Sequence, residues 1–325
     1  MTIYDYTARI RDLINAPRKQ SLLIQDRDAW LKLLSSHDAI DDTDLALDSY
    51  LADRFPSKEG ALYLIVYGVL QVLYVQQNAV GDLLRALSIK IAHEEYPRLS
   101  RIRDIRSASI GHPTAKKTKG GYSYHFITRV TLRKSGFRLL SDRPDGSTHW
   151  EEVTIPDLIA EQRHDVADIL RRVITDLETD EERHREQFRG ERLQDPLPPS
   201  LSYDFQKIAE ATAGTTTHVG AALGQVAVKN MREALERLRD ALTRRGLAEA
   251  YHLNESIEEI LYPLSEIDTF FEAIKTGAQP GLNERLAYIC AFFIDKRIEG
   301  LRQVAREIDE DYAKSVRSGG AESTA

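Results

Sequence analysis

The sequence predicts a mainly α-helical protein with one small antiparallel sheet of three strands. Most of the chain carries apolar residues at helical spacing, whereas residues 122–133 alternate aromatic or β-branched residues with polar ones, as strands do. The chain has 325 residues, enough for one large or two ordinary domains. With 42% hydrophobic and 29% charged residues, its composition is typical of a globular protein and excludes a disordered one.

Charge and cysteine content narrow the class of function. The formal net charge is -7, so the molecule as a whole does not attract nucleic acid or anionic lipid, and a site for a polyanion must be a local basic patch. The single cysteine, Cys290, excludes internal disulfides and thiolate metal clusters and is typical of a reducing compartment. Residues 1–5 lack the basic and apolar regions of a secretory signal. We therefore expect a cytoplasmic protein.

The first third of the chain is predicted to be a bundle of helices. Apolar spacing predicts a helix at 3–16, Asp26 is the expected N-cap of a second, and Asp41 or Asp42 is expected to begin a third. The uncharged run 61–75 predicts a helix that is buried in the bundle or in a subunit interface, because it is apolar on nearly all sides. This run is too short to span a bilayer, and no membrane association is expected.

A basic helix is predicted at 97–111, and after it the helical spacing of apolar residues ends. Pro97 is typical of a first helical turn, and Gly111 of the position just after a last one. Residues 115–121 predict a basic loop, and the turn signals beyond it separate three strands of a meander.

The remainder of the chain is predicted to be helical. Pro156 is expected to open a helix that ends near residue 192, and the proline-rich segment 195–200 is the candidate domain boundary. The expected division is a helical bundle at 1–115, a β-meander at 116–155, a connecting helix at 156–194, a helical domain at 195–317 and a disordered tail at 318–325.

The residues best suited to chemistry lie in the basic helix and the loop behind it. Arg103 and Arg106 are three residues apart and share a helix face, where two guanidinium groups can bind a phosphate. His112 stands at the helix end, and histidine is the side chain best able to transfer protons near neutral pH. An arginine that holds a phosphodiester beside a histidine suffices for RNA cleavage by the ribose 2′-hydroxyl without a metal. The residues expected to bind RNA around this pair are Arg101, Lys116, Lys117 and Lys119.

Other interpretations of these residues stay open. The same arginine-to-histidine spacing occurs from Arg143 to His149, and a histidine at a helix C-terminus also complements the helix dipole without catalysis. Tyr122, Tyr124 and Phe126 can stack on RNA bases or form one packed face of the sheet, and their alternation favours the packed face. The histidines form no His-x-x-x-His pair and there is no glycine-rich phosphate loop, so neither a metal nor a cofactor is expected.

The segment at 105–113, IRSASIGHP, resembles the signature of the HEPN superfamily. In that family an arginine, four to six further residues and a histidine, often followed by proline, close a late helix of a small helical bundle. The resemblance covers about residues 1–115. It implies a metal-independent endoribonuclease of a toxin, antiphage or RNA-processing system, with Arg106 orienting and neutralising the scissile phosphate and His112 acting as general base or acid. Ser107 stands where the family usually has a polar residue, often asparagine.

The resemblance also implies partners and products. Members act as homodimers with the two motifs facing each other across the interface, and they leave a 2′,3′-cyclic phosphate and a 5′-hydroxyl. The alternative is a non-catalytic helical scaffold whose basic patch only holds RNA, a nucleotide or an acidic protein. Binding by such a scaffold would depend on the charge of Arg101 and Arg103 and not on His112. The helical second half carries no motif and is expected to serve dimerisation, target selection or the binding of a regulator such as an antitoxin.

Overall fold

The computed structural model describes residues 1–53, 58–118, 120–213 and 216–314, apart from the side chain of His93. Lys119 and the predicted disordered tail at 318–325 lie outside the described residues. The described helices are α1 (Ile3–Ile14), α2 (Pro17–Ile24), α3 (Arg27–Ala52), α4 (Glu59–Ala86), α5 (Pro97–Arg106), α6 (Ile155–Gln187), α7 (Leu201–Thr212), α8 (His218–Arg244), α9 (Leu253–Thr276) and α10 (Glu284–Tyr312). The described strands are β1 (Lys116–Thr118), β2 (Gly121–Ile127), β3 (Gly136–Asp142) and β4 (Thr148–Thr154). The predicted mainly helical class with one small antiparallel sheet is confirmed.

The chain forms two compact units. The first comprises Met1–Asn15 and Leu23–Leu177, and the second comprises Ala16–Leu22 and the chain from Glu178 onward. The division falls inside α6, whereas the sequence suggested a boundary in the proline-rich segment at 195–200. The finer division of the chain that the sequence suggested stays a prediction.

Helix α3 is one continuous helix of 26 residues, so the prediction of a separate helix that starts at Asp41 or Asp42 is wrong. Aspartates are common at helix starts, but here the buried stripe of Ile40, Thr43 and Leu47 continues through them and keeps the helix intact. The predicted N-cap is confirmed, because the Asp26 side chain accepts a hydrogen bond from the backbone N–H of Ala29 at 3.0 Å.

Helix α4 is nearly twice as long as the apolar run that predicted it. Val66, Leu70 and Leu73 are fully buried in the core of the first unit. Helix α4 has 28 residues and a mean hydropathy of 1.3 in its most apolar window, so its length and composition would allow it to cross a membrane. Core helices of globular proteins often have the same length and composition. The expectation of no membrane association, which was based on the shorter run at 61–75, stays a prediction.

The sheet has four strands in the order β1-β2-β3-β4, all antiparallel, and not the three that were predicted. The additional strand, β1, comes from the segment predicted as a basic loop, and Lys116 pairs with Ser123 of β2. Gly121 allows this tight return because its φ of +138° is accessible to glycine and rarely to other residues. The inner face of the sheet carries Phe137, Leu139 and Val153, all buried against the helices of the first unit.

The second unit is a helical bundle in which α7, α8, α9 and α10 share one hydrophobic core. α8 and α9 approach closely at Gly224, where a Cβ atom would lie 2.5 Å from the ring of Phe271, so only glycine fits this crossing. The leucines around the proline-rich segment, Leu193 and Leu197, are buried in the same core.

Candidate active site

The basic helix does not remain α-helical to its end. α5 stops at Arg106, and Ser107–Gly111 form a single π-helical turn that closes with the His112 N–H donating to the Ser107 carbonyl at 2.7 Å. The sequence predicted one regular helix to Gly111. Single π turns inside or after α-helices occur frequently at functional sites, because they re-aim the side chains that follow.

Gly111 lets the guanidinium of Arg106 lie against this π turn. A Cβ atom on Gly111 would come within 2.9 Å of the Arg106 Nη1 atom. Five residues separate Arg106 from His112 in the chain, but the glycine contact brings the guanidinium to the residue directly before His112. The structure therefore places the two predicted catalytic residues at the same turn.

Helix α4 holds Arg106 in a fixed position. The Nε and Nη2 atoms of Arg106 donate to the side-chain oxygen of Gln71 at 3.2 Å and 2.8 Å. Its guanidinium carbon lies 4.5 Å from the centre of the Tyr74 ring, which is cation–π distance. The Nη1 atom has no acceptor among the described residues, so it remains available to a ligand.

Arg103 is held in the same way, by amides of α4 and by the same Tyr74 ring. Its Nε donates to the side chain of Gln77 at 2.7 Å and its Nη2 to Asn78 at 2.9 Å, and its guanidinium carbon lies 5.2 Å from the Tyr74 ring centre. Neither Arg103 nor Arg106 forms an ion pair with a carboxylate in the described part of the chain. Both cations are half-buried and positioned by neutral groups, so their charge is not compensated.

Gln77, one of the two amides that hold Arg103, is itself fixed by a buried network. Gln77 donates to Gln162 of α6 at 2.7 Å, and Gln162 donates to Gln76 at 2.8 Å and to the Leu73 carbonyl at 3.0 Å. All three glutamine side chains are buried. Because α6 restrains the amide that Arg103 contacts, the arginine position is set by the packing of two long helices.

The side chain of His112 is exposed and makes no hydrogen bond or ion pair within the described ranges, although its backbone is held on both sides. Its own N–H is bonded to Ser107, and the carbonyl of the next residue, Pro113, accepts the N–H of His125 in β2 at 2.9 Å. The backbone of His112 is therefore fixed, whereas its imidazole has no partner within the described ranges that would orient it.

The other residues predicted to belong to the site do not share the arrangement of Arg103 and Arg106. Arg101 lies on another side of α5 and pairs with Glu151 at 3.1 Å and Glu161 at 3.2 Å, so its charge is compensated. Lys116 pairs with Asp104 at 3.4 Å. Lys117 is exposed in β1, Ser107 is half-buried in the π turn, and Lys119 is not among the described residues. The RNA-binding role of these residues stays a prediction.

The aromatic residues of β2 form an open face and not the packed one that was favoured. Tyr122, Tyr124 and Phe126 are 54%, 43% and 55% exposed, and Trp150 of β4 is 47% exposed. Leu140 of β3 pairs with both Phe126 and Trp150, so these side chains lie in one row across the sheet. The prediction of a packed aromatic face is therefore wrong for the single chain. We call these four exposed aromatic residues the aromatic face.

Sequence reasoning missed the residues that hold the arginines. They recur on one side of α4 and are Gln71, Tyr74, Gln77 and Asn78. The signal was present, because Gln71, Tyr74, Gln77 and Asn78 follow one another at spacings of three, three and one, which places them on one side of a helix.

His125 was also missed. Its Nδ1 lies 2.8 Å from the Ser141 hydroxyl, and its Nε2 is buried with no partner among the described residues. Burial, followed by the nearby positive charge of Lys116, lowers the pKa of His125.

Comparisons with known proteins do not identify a function for this chain. No family model, no curated protein and no solved structure matches the chain. Within the described residues, no group of three or more histidine, cysteine, aspartate or glutamate side chains is placed to share a metal ion.

The lowered pKa of His125 predicts that stability falls as the pH decreases. The unfolded chain takes up this proton near pH 6.5, about the ordinary value for histidine, whereas the folded chain takes it up only at lower pH. Between those two values the unfolded state holds more protons, so acidification favours unfolding. His125→Gln is expected to remove part of the fall in the free energy of unfolding between pH 7 and pH 5, measured by urea titration. His149→Gln, which removes an exposed histidine of the same sheet, is the control, and equal falls in both variants would contradict the assignment.

Proposed function

We propose that the protein is a HEPN-type endoribonuclease that cleaves RNA without a metal, with Arg106 and His112 as its catalytic pair. One observation carries this proposal. An uncompensated arginine, fixed by Gln71 and Tyr74, lies against the turn from which an exposed histidine projects. Two guanidinium groups with unused N–H donors suit a phosphodiester, and a free imidazole suits proton transfer.

The reaction needs an acid and a base besides the arginine. The ribose 2′-oxygen loses its proton to one imidazole and bonds to phosphorus, while the bond from phosphorus to the 5′-oxygen breaks and that oxygen takes a proton from a second imidazole. Arg106 donates hydrogen bonds to the phosphate oxygens as negative charge develops on them. The products are a 2′,3′-cyclic phosphate and a 5′-hydroxyl. Each chain offers one such histidine, so His112 of the partner subunit would serve as the second.

An exposed apolar strip on α4 supports a homodimer built around this site. Leu64, Tyr67, Gly68 and Val75 lie on one side of the helix, and Leu64 is 77% exposed. Gln71, which holds Arg106, lies in the middle of this strip. The spacing of Leu64, Gly68, Gln71 and Val75 alternates four and three residues, as in helix pairs that pack along a seam. A second copy packed on the strip across a two-fold axis would bring the two Arg106 side chains close together.

The aromatic face supports RNA as the ligand. Exposed rings on a sheet stack on unpaired bases. Arg138 lies 4.8 Å from the Trp150 ring centre and pairs with Glu152 at 3.4 Å, so its charge is compensated. The face belongs to β2, the strand whose backbone holds Pro113 directly after His112. This backbone contact connects the strand that carries three of the rings to the turn that carries His112.

Two observations favour the second candidate, a non-catalytic RNA-binding scaffold. The position after the motif arginine holds Ser107, whose hydroxyl cannot replace both functions of an amide. The imidazole of His112 also lacks a partner in the described structure that would orient it. In either case a toxin, antiphage or RNA-processing role with a regulatory partner protein remains part of the proposal.

Loss of either catalytic residue should abolish cleavage. His112→Ala and Arg106→Ala are expected to lower the rate of RNA cleavage at least 100-fold, because each removes a proton-transfer or charge-stabilising group. The rate is measured on a mixed pool of fluorescent RNAs, with mass spectrometry of the product ends and with EDTA present and absent. EDTA should leave the activity unchanged.

Arg143→Ala and His149→Ala are the matched controls for this experiment, because they have the same spacing in the chain and both side chains are exposed. They should retain the wild-type rate. Cleavage that survives His112→Ala and Arg106→Ala in a folded protein would refute the enzyme proposal and leave the scaffold.

A charge on the α4 strip should separate the two copies. Leu64→Asp places a carboxylate where the partner would bury a leucine, so we expect a monomer in sedimentation analysis and a loss of RNA cleavage. Because Leu64 is exposed in the single chain, the circular dichroism of the variant should match that of the wild type. Leu223→Asp, which changes an exposed leucine of α8, should remain dimeric. A monomeric Leu64→Asp variant that still cleaves RNA would show that the dimer is not required.

Removing a ring from the aromatic face should weaken the binding of single-stranded RNA. In the cleavage-deficient His112→Ala background, Phe126→Ala and Trp150→Ala should each raise the Kd about 5- to 150-fold, the range for loss of one stacked base. Fluorescence anisotropy measures the Kd, with a duplex of the same sequence for comparison. Tyr203→Ala removes an equally exposed ring from α7 and should change nothing. If all three variants bind alike, RNA does not use this face.

A further inference from the structure

A cavity of about 450 Å³ lies in the first unit, beside Arg103 but distinct from the π turn. The C-terminal half of α4, the segment 89–92, α5 and α6 form its walls. Aliphatic side chains line most of it, among them Val80, Leu84, Ile91, Leu99, Val166 and Ile169. Its volume lies within the range of small-molecule sites, roughly 300 to 1,000 Å³.

Three cations and no carboxylate line this cavity. They are Arg85, Lys90 and Arg103. Arg85 is paired with Asp82 at 2.6 Å, but Lys90 has no ion pair in the described part of the chain. Arg103 uses Nε and Nη2 for Gln77 and Asn78, which leaves Nη1 without an acceptor there. In a chain of net charge -7, an apolar cavity with unpaired cations is complementary to an anion.

The backbone around Lys90 is shaped to close the cavity. Ser88 follows α4 with a φ of 57°, a left-handed conformation that few non-glycine residues adopt. This turn folds the chain back so that the Ile89 N–H donates to the Leu84 carbonyl at 2.9 Å, and Ile89, Lys90 and Ile91 all line the cavity. Strained backbone of this kind is common at ligand sites.

We propose that this cavity binds a small amphipathic anion, an alkyl chain that carries one carboxylate or phosphate head group. The head group is held by the Nη1 atom of Arg103 and the ammonium of Lys90, and the chain packs on the aliphatic walls. A flat nucleobase fits less well, because Tyr96 is the only aromatic side chain among the described residues of the lining.

The occupant would also act on the candidate active site. Arg103 belongs to both, since it lines the cavity and shares the Tyr74 ring with Arg106. An anion at Arg103 compensates its charge and weakens the attraction of the arginine pair for a phosphodiester. Binding of the anion stands independently of the proposed function, whereas this competition rests on it.

The binding test uses the full chain and isothermal titration calorimetry with four ten-carbon probes below their micelle concentrations. Decanoate and decyl phosphate should bind, and their relative affinities distinguish a carboxylate from a phosphate ligand. Decanol and decyltrimethylammonium should bind at least tenfold more weakly, because they lack the charge that Arg103 and Lys90 recognise. Equal affinity for all four probes would overturn the proposal.

Variants of the lining locate the site. Lys90→Gln should weaken decanoate or decyl phosphate about tenfold, and Ala92→Trp, at an exposed position of the lining, should block entry. Lys32→Gln removes an exposed lysine of α3 and is the matched control. Binding that is unchanged in both lining variants would place the ligand elsewhere and refute the site.

Competition is measured as RNA affinity in the His112→Ala variant, which needs no cleavage. A saturating anionic probe should raise the Kd for single-stranded RNA, and this effect should disappear in His112→Ala combined with Ala92→Trp. Unchanged RNA affinity at full occupancy would refute the coupling through Arg103. A protein that binds the anion but neither binds nor cleaves RNA would refute the proposed function and retain the cavity site.

Discussion

The candidate site depends on the partners of two arginines. Arg103 and Arg106 are held by amide oxygens and by the face of one tyrosine ring, and not by carboxylates. A carboxylate would fix the side chain and compensate its charge at the same time. An amide fixes the geometry but leaves the charge in place, so the positive potential at the π turn persists until an anion binds. The half-buried position strengthens that potential, because the surroundings are less polarisable than water.

Two other arginines that join helices of the first unit have carboxylate partners. Arg98 is paired with Asp165, and Arg163 lies 2.8 Å from Asp44 and 2.6 Å from Asp48. Acidic residues of this unit therefore pair with some of the arginines that join its helices. Arg103 and Arg106, which join α5 to α4, differ from these two examples because they have no carboxylate partner in the described part of the chain. Charged side chains without a compensating partner are expected at sites that bind a ligand, because there the residues are selected for binding and not for stability.

Sequence patterns predicted which residues share one side of a helix or strand, but not which other residues contact that side. The spacing of Arg103 and Arg106 placed them together, yet nothing in it separated them from Arg101, which meets two glutamates distant in sequence. The alternation in β2 aligned three aromatic rings, but which face of a small sheet packs on helices depends on elements elsewhere in the chain. The predicted helix start at Asp41 or Asp42 was wrong for a related reason, since burial of Ile40 and Leu47 outweighs the local preference of aspartate.

Helix α4 is apolar because it is contacted on several of its sides. One side is buried in the core, a second carries the amides for the arginines, and a third lines the cavity. The exposed strip around Leu64 and Val75 is the side that the proposed dimer would cover. A helix contacted all round must be apolar almost all round, with polar residues only where a specific partner meets them. The amides of α4 have such partners. Gln71, Gln77 and Asn78 each accept a hydrogen bond from an arginine, and Gln76 accepts one from the buried Gln162.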